Sequence, residues 1–136
     1  MVSVCMERDN VIYGVGVDLV NLSRMERALE RWGERFRGMV FGREELEYAA
    51  TKKHPAQHLA ACFAAKEAVI KALGLTTGLG LRFSQIQVTH EESGAPRVAL
   101  SGAAAERAGE LGVQRMHLSL SHDRGYAVAM VVAETL

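Results

Sequence analysis

The sequence is short of cysteine: Cys5 and Cys62 are the only two. They lie far apart, one near the start and one inside an apolar stretch. No disulfide framework and no zinc cluster is indicated, and a reducing cytoplasm is the expected compartment. Net charge is missing too, because sixteen basic and sixteen acidic side chains cancel. That argues against a general nucleic-acid binder while leaving room for a local basic patch. No apolar run approaches the length needed to cross a bilayer, so no membrane partner is expected. The first ten residues carry Glu7, Arg8 and Asp9 around no apolar core, so they do not read as a secretion signal. Residues 1–10 are expected to be a poorly ordered leader, with the folded domain spanning 11–136. There is no internal repeat, no linker, and no glycine pattern of the Walker or dinucleotide kind.

What remains is a chain of 136 residues, 49% hydrophobic and 24% charged, the size and composition of one globular domain. Val11 to Val20 is β-branched and glycine-interrupted and reads as a first strand. Asn21 caps a helix from Leu22 to about Arg37, which Gly38 ends. Leu22, Met25, Ala28, Leu29, Trp32 and Phe36 fall on one face of it. Arg43 to Ala50 is a short helix, and Lys52, Lys53, His54 and Pro55 form a polar break. A long helix runs from about Ala56 to Leu73 and stops at Gly74. Ser84 to Thr89 and Pro96 to Leu100 form a hairpin. Ser101 caps a small-residue helix ending near Leu111. Met116 to Ser121 and Tyr126 to Ala133 are strands joined by a turn at His122-Asp123-Arg124-Gly125. The order β-α-α-α-β-β-α-β-β predicts an α+β domain with a mainly antiparallel sheet packed on a long helix.

Three charges interrupt the otherwise apolar segment Cys62 to Leu73: Lys66, Glu67 and Lys71. Glu67 and Lys71 sit one turn apart, which suits an ordinary surface ion pair or a carboxylate and ammonium offered to a metal or phosphate. Asp18, inside the first strand, needs a partner because an unpaired buried charge is costly. Arg24, Arg27, Arg31 and Arg35 share a helix face within about 80°. A salt-bridged solvent face is the common reading of such a stripe, and a recognition surface for an acidic partner is the other.

Four segments carry a resemblance: Gly14-Val15-Gly16-Val17-Asp18-Leu19-Val20, Phe63-Ala64-Ala65-Lys66-Glu67-Ala68 with Lys71-Ala72-Leu73-Gly74, Ser93-Gly94-Ala95-Pro96, and Leu118-Ser119-Leu120-Ser121-His122-Asp123 with Tyr126-Ala127. In this order and spacing, over residues 12–133, the chain resembles the 4'-phosphopantetheinyl transferases. It is most similar to the small bacterial holo-acyl-carrier-protein synthases. Cys62 departs from the pattern, standing where many relatives have an arginine.

The resemblance implies transfer of the phosphopantetheine arm of coenzyme A to a serine of an acyl carrier protein, releasing adenosine 3',5'-bisphosphate. It implies Mg²⁺ held by Asp18 and Glu67, with Lys71 acting on the phosphate and His122 in the site. The serine's base is left open between Glu67, a metal-bound water and the pair His122/Asp123. Coenzyme A contacts are expected at Lys66, Lys71, Gly78, Gly80 and His122, with a purely structural Lys66 as the other possibility. Arg24, Arg27 and Arg31 are expected to receive the carrier protein. A homotrimer with coenzyme A in clefts between subunits is implied as well. A non-catalytic trimer that binds coenzyme A or carrier protein, and a domain excised from a larger synthase, are the competing readings.

Overall fold

In a computed structural model the described residues are 11–75 and 81–135. The leader 1–10 and the loop glycines Gly78 and Gly80 lie outside them. The elements are β1 (Ile12–Asn21), α1 (Leu22–Val40), α2 (Arg43–Ala50), α3 (Pro55–Leu73), β2 (Ile86–His90), β3 (Pro96–Leu100), α4 (Gly102–Glu110), β4 (Val113–Asp123) and β5 (Tyr126–Thr135). The predicted order holds throughout. β1, β5 and β4 form an antiparallel sheet in that spatial order, and β2 and β3 form a separate hairpin.

α3 lies across the inner face of the sheet and is the centre of the fold. Its Ala60, Ala64, Ala65, Ala68 and Val69 are wholly buried. A helix apolar on most of its circumference belongs inside, and its many alanines let neighbours approach closely. β1 exploits this. A Cβ at Gly14 would stand 2.1 Å from the Ala72 carbonyl oxygen, and one at Gly16 would stand 1.9 Å from that of Ala68. The alternation of the strand then turns Asp18 to the same inner face as Gly14 and Gly16. From β5 the inner face receives Ala127, Ala129, Val131 and Ala133, all buried.

The outer face of the sheet is apolar and uncovered. Val15, Val17 and Leu19 are 56%, 54% and 61% exposed, and Met130, opposite Val17, is 48% exposed. Among the described residues no helix is long and apolar enough to cross a membrane.

Several boundaries differ from the sequence expectation. α1 does not end at Gly38 but at Val40, and it is broken instead at Gly33, whose φ of 53° and ψ of −134° are non-helical. Trp32, the last residue before the break, is 55% exposed rather than part of the buried stripe with Met25 and Leu29. The strand expected from Ser84 begins with a 3-10 turn, Phe83–Gln85, and pairs only from Ile86. β4 starts at Val113 and keeps pairing through Asp123 with Tyr126. The turn is therefore Arg124-Gly125 alone, with positive φ at both residues (48° and 83°). That is the backbone a tight two-residue hairpin requires.

Candidate active site

Asp18, on β1, and Glu67, on α3, meet at one cleft of about 330 Å³. Asn21, Arg24, Phe36 and Phe63 complete its walls. The Asp18 side chain is only 18% exposed. The Glu67 carboxyl is pushed above its ordinary range, first by burial and then by the Asp18 charge, with Lys71 opposing. Two carboxylates that repel across a cleft favour positive charge between them.

Lys71 supplies part of that charge. The ion pair with Glu67, one of its two readings, is not formed. Lys71 Nζ donates to Asp18 Oδ1 at 3.1 Å and to the Val17 carbonyl at 3.0 Å. Its side chain is 53% exposed, so it is free to turn outward. Among the described residues no three His, Cys, Asp or Glu side chains cluster closely enough to hold a metal by themselves. Two hard carboxylates that leave the other positions to phosphate oxygens and water suit Mg²⁺ rather than a protein-caged ion.

Arg24 lines the same cleft, and Arg24, Arg27 and Arg31 also line an adjoining groove along α1. The Arg31 guanidinium lies over the Trp32 ring, 5.1 Å from its centroid. Arg35 lies beyond the break at Gly33 and is not part of that groove.

A second cleft, of about 360 Å³, opens at the N-terminus of α3, between it and the end of β4. Lys52, Lys53, His54, His58 and His122 line it. Sequence reasoning passed over Lys52, Lys53 and His54 as a break between helices. The signal that finds them is their position: consecutive basic side chains just before a long helix, where the helix dipole already favours anions. His58 Nε2 is buried without a hydrogen-bond partner. Its pKa is pushed down to about 4 by burial, then by His90 and Lys52.

The two clefts lie on opposite flanks of α3. Gln57, His58 and Ala61 face the second, and Phe63 and Glu67 face the first, about half a turn away. His122 and Glu67 therefore line different clefts of the one chain.

Two expectations are corrected. Lys66 cannot contact coenzyme A: its side chain is fully buried and its Nζ donates to Glu45 Oε1 at 2.8 Å, to the Phe83 carbonyl at 3.1 Å and to the Ile86 carbonyl. Its other reading, as a structural residue, is the one the packing supports. His122 and Asp123 do not act as a pair, because both are strand residues and consecutive strand side chains point to opposite faces. Asp123 therefore points away from the cleft that holds His122.

Residues 14–131 match the family model of the 4'-phosphopantetheinyl transferase superfamily. The chain belongs to this family of transferases. Within it, the chain is 44% identical over 124 residues to the holo-[acyl-carrier-protein] synthase of Geotalea daltonii, covering 91% of this chain and 99% of that one. Among solved structures it resembles the holo-[acyl-carrier-protein] synthase of Neisseria meningitidis, with a TM-score of 0.84 and 35% identity over 91% of this chain and 99% of that one. It also resembles the Helicobacter pylori synthase in complex with coenzyme A, with a TM-score of 0.77 and 31% identity over 88% and 98% of the two chains.

Proposed function

We propose that the chain transfers the 4'-phosphopantetheine arm of coenzyme A to a serine of an apo-acyl carrier protein. The reaction depends on Mg²⁺ and releases adenosine 3',5'-bisphosphate. The observation that carries this reading is the Asp18–Glu67 carboxylate pair in one cleft, with Lys71 already drawn to Asp18. Asp18 and Glu67 would hold Mg²⁺, which would supply electrostatic stabilisation of the charge that builds on the phosphoryl oxygens.

The chain's own residues do the rest. Asp18 and Glu67 orient the pyrophosphate end of the substrate. Lys71, half-exposed beside Asp18, turns toward the phosphate and balances charge on the leaving side. Phe63 and Phe36 keep one wall of the cleft apolar and restrict water there.

The cationic cleft at the head of α3 takes a phosphate of coenzyme A, through Lys52, Lys53 and His122. Because α3 stands between that cleft and Glu67, one coenzyme molecule reaches both only if they come from neighbouring copies. The uncovered apolar outer face of the sheet supplies a surface for self-association. A homotrimer with sites between subunits accounts for both observations. The Arg24, Arg27 and Arg31 groove, adjoining the carboxylate cleft, receives the acidic carrier protein and delivers its serine. A cytoplasmic setting fits these substrates and the free thiol of Cys62.

Mass spectrometry of apo-carrier protein incubated with the enzyme, coenzyme A and Mg²⁺ tests this. The expected result is a gain of one phosphopantetheine arm, lost on chelation. Binding of both substrates without any mass gain would overturn the assignment.

A further inference from the structure

One buried ion pair has no part in the chemistry above, and it is the most enclosed charged group among the described residues. Glu45 is 2% exposed and Lys66 not at all. Every acceptor and donor of the pair is engaged across separate elements. Glu45 Oε1 accepts from the Gly42 N–H at 2.8 Å, closing the start of α2, and from Lys66 Nζ at 2.8 Å. Its Oε2 accepts from the Val88 N–H of β2 at 2.7 Å. Lys66, on α3, reaches past Glu45 to the carbonyls of Phe83 and Ile86, the chain entering β2. The Phe83 ring packs on Phe63 with centroids 5.5 Å apart. Phe63 forms the wall of the cleft beside Asp18 and Glu67.

We propose that Glu45 and Lys66 are positioning residues for the transfer reaction. They fix the rotation of α3, hence the direction of Glu67, and they pin the Phe83 segment that backs the Phe63 wall. Lys66 precedes Glu67 directly, so a lysine held by three acceptors fixes the rotation of the backbone that presents the neighbouring carboxylate. The inference rests on Glu67 being a metal-binding carboxylate, as proposed above. Replacing a whole buried pair of this kind by well-packed apolar side chains is commonly neutral or stabilising, whereas removing one partner is destabilising. That fact separates positioning from mere support.

The test uses the full chain as Glu45→Gln, Lys66→Met and the double variant Glu45→Leu/Lys66→Met, each assayed well below its own Tm. Mn²⁺ affinity, measured by calorimetry with coenzyme A present, is read beside kcat and the KM for coenzyme A. Positioning predicts that kcat and Mn²⁺ affinity fall about 10–100-fold in every folded variant while the coenzyme A KM moves little. The loss persists in the double variant even where its Tm equals or exceeds that of the parent, because apolar side chains cannot hold the Phe83 and Ile86 carbonyls. A double variant that recovers both Tm and kcat overturns the proposal, as does any folded single variant with parental kcat and Mn²⁺ affinity. Failure of the parent itself to transfer would instead overturn the function, and the Mn²⁺ readout would still decide the positioning claim.

Discussion

Gly16→Ala is the smallest change that reaches both fold and chemistry. The added Cβ would lie 1.9 Å from the Ala68 carbonyl oxygen and 2.8 Å from the Ala72 nitrogen. Both atoms are α3 backbone and cannot rotate aside. Ordinary contact begins at 3.4 Å, so β1 and α3 must part by about 1.5 Å. Overpacking a core costs about 1–3 kcal/mol, and a clash with helix backbone belongs at the upper end. For a chain of this length about 3 kcal/mol lowers Tm by about 10 °C. The same separation moves Asp18, two residues along β1, away from Glu67, one residue before Ala68, so kcat falls with stability. Gly38→Ala is the control. Gly38 is within α1, a Cβ added there meets nothing within 4 Å, and alanine should stabilise by about 0.5–1 kcal/mol. Thermal melts by circular dichroism and a transfer assay read both. A Gly16→Ala protein with parental Tm and kcat would refute the close-packing argument.

Other outcomes rest on the same geometry. Reversing Arg27 and Arg31, which line the groove but not the carboxylate cleft, to glutamate should raise the carrier-protein KM about tenfold or more and flatten its salt dependence, leaving the KM for coenzyme A nearly unchanged; steady-state kinetics at two ionic strengths check this. Lys53→Glu should do the converse, raising the coenzyme A KM alone. His58 titrates at about 4 in the folded chain against 6.5 when exposed. Between those values the unfolded chain takes up a proton that the folded chain refuses, so stability falls as pH drops from 6.5 toward 4. His58→Phe should remove that portion of the slope in a Tm–pH series and raise Tm most at the acid end. An unchanged slope would show that His58 is not its source.

Much of this molecule is legible in its sequence because its strongest signals are local and periodic. The length of α3, its closure at Gly74 and the β2–β3 hairpin follow from apolar spacing and turn residues. Asp18 and Glu67 stand out because each is a charge inside an apolar segment. The misses have a common cause, which is that tertiary contact decided them. Lys66 and Glu67 are adjacent charges with the same local signal, yet one faces Glu45 in the core and the other the cleft, and only the packing of α2 and β2 tells them apart. Gly33 breaks α1 although the apolar face continues through it to Phe36, so the arginine stripe stops at Arg31. His122 and Asp123 look like turn residues by composition, but the positive φ of Arg124 and Gly125 lets the strand run two residues further. The cationic cleft was hidden because it assembles from a loop, a helix start and a strand end that are distant in sequence.

The most direct measurement is subunit complementation. Glu67→Ala and His122→Ala chains, each inactive alone, are co-expressed with different tags and purified as mixed oligomers carrying both. If each site joins the Asp18–Glu67 cleft of one copy to the His122 cleft of the next, about one site in three of a mixed trimer is intact, and activity returns to about a third of the parental level. Mixed oligomers with no activity above either variant alone would contradict the account.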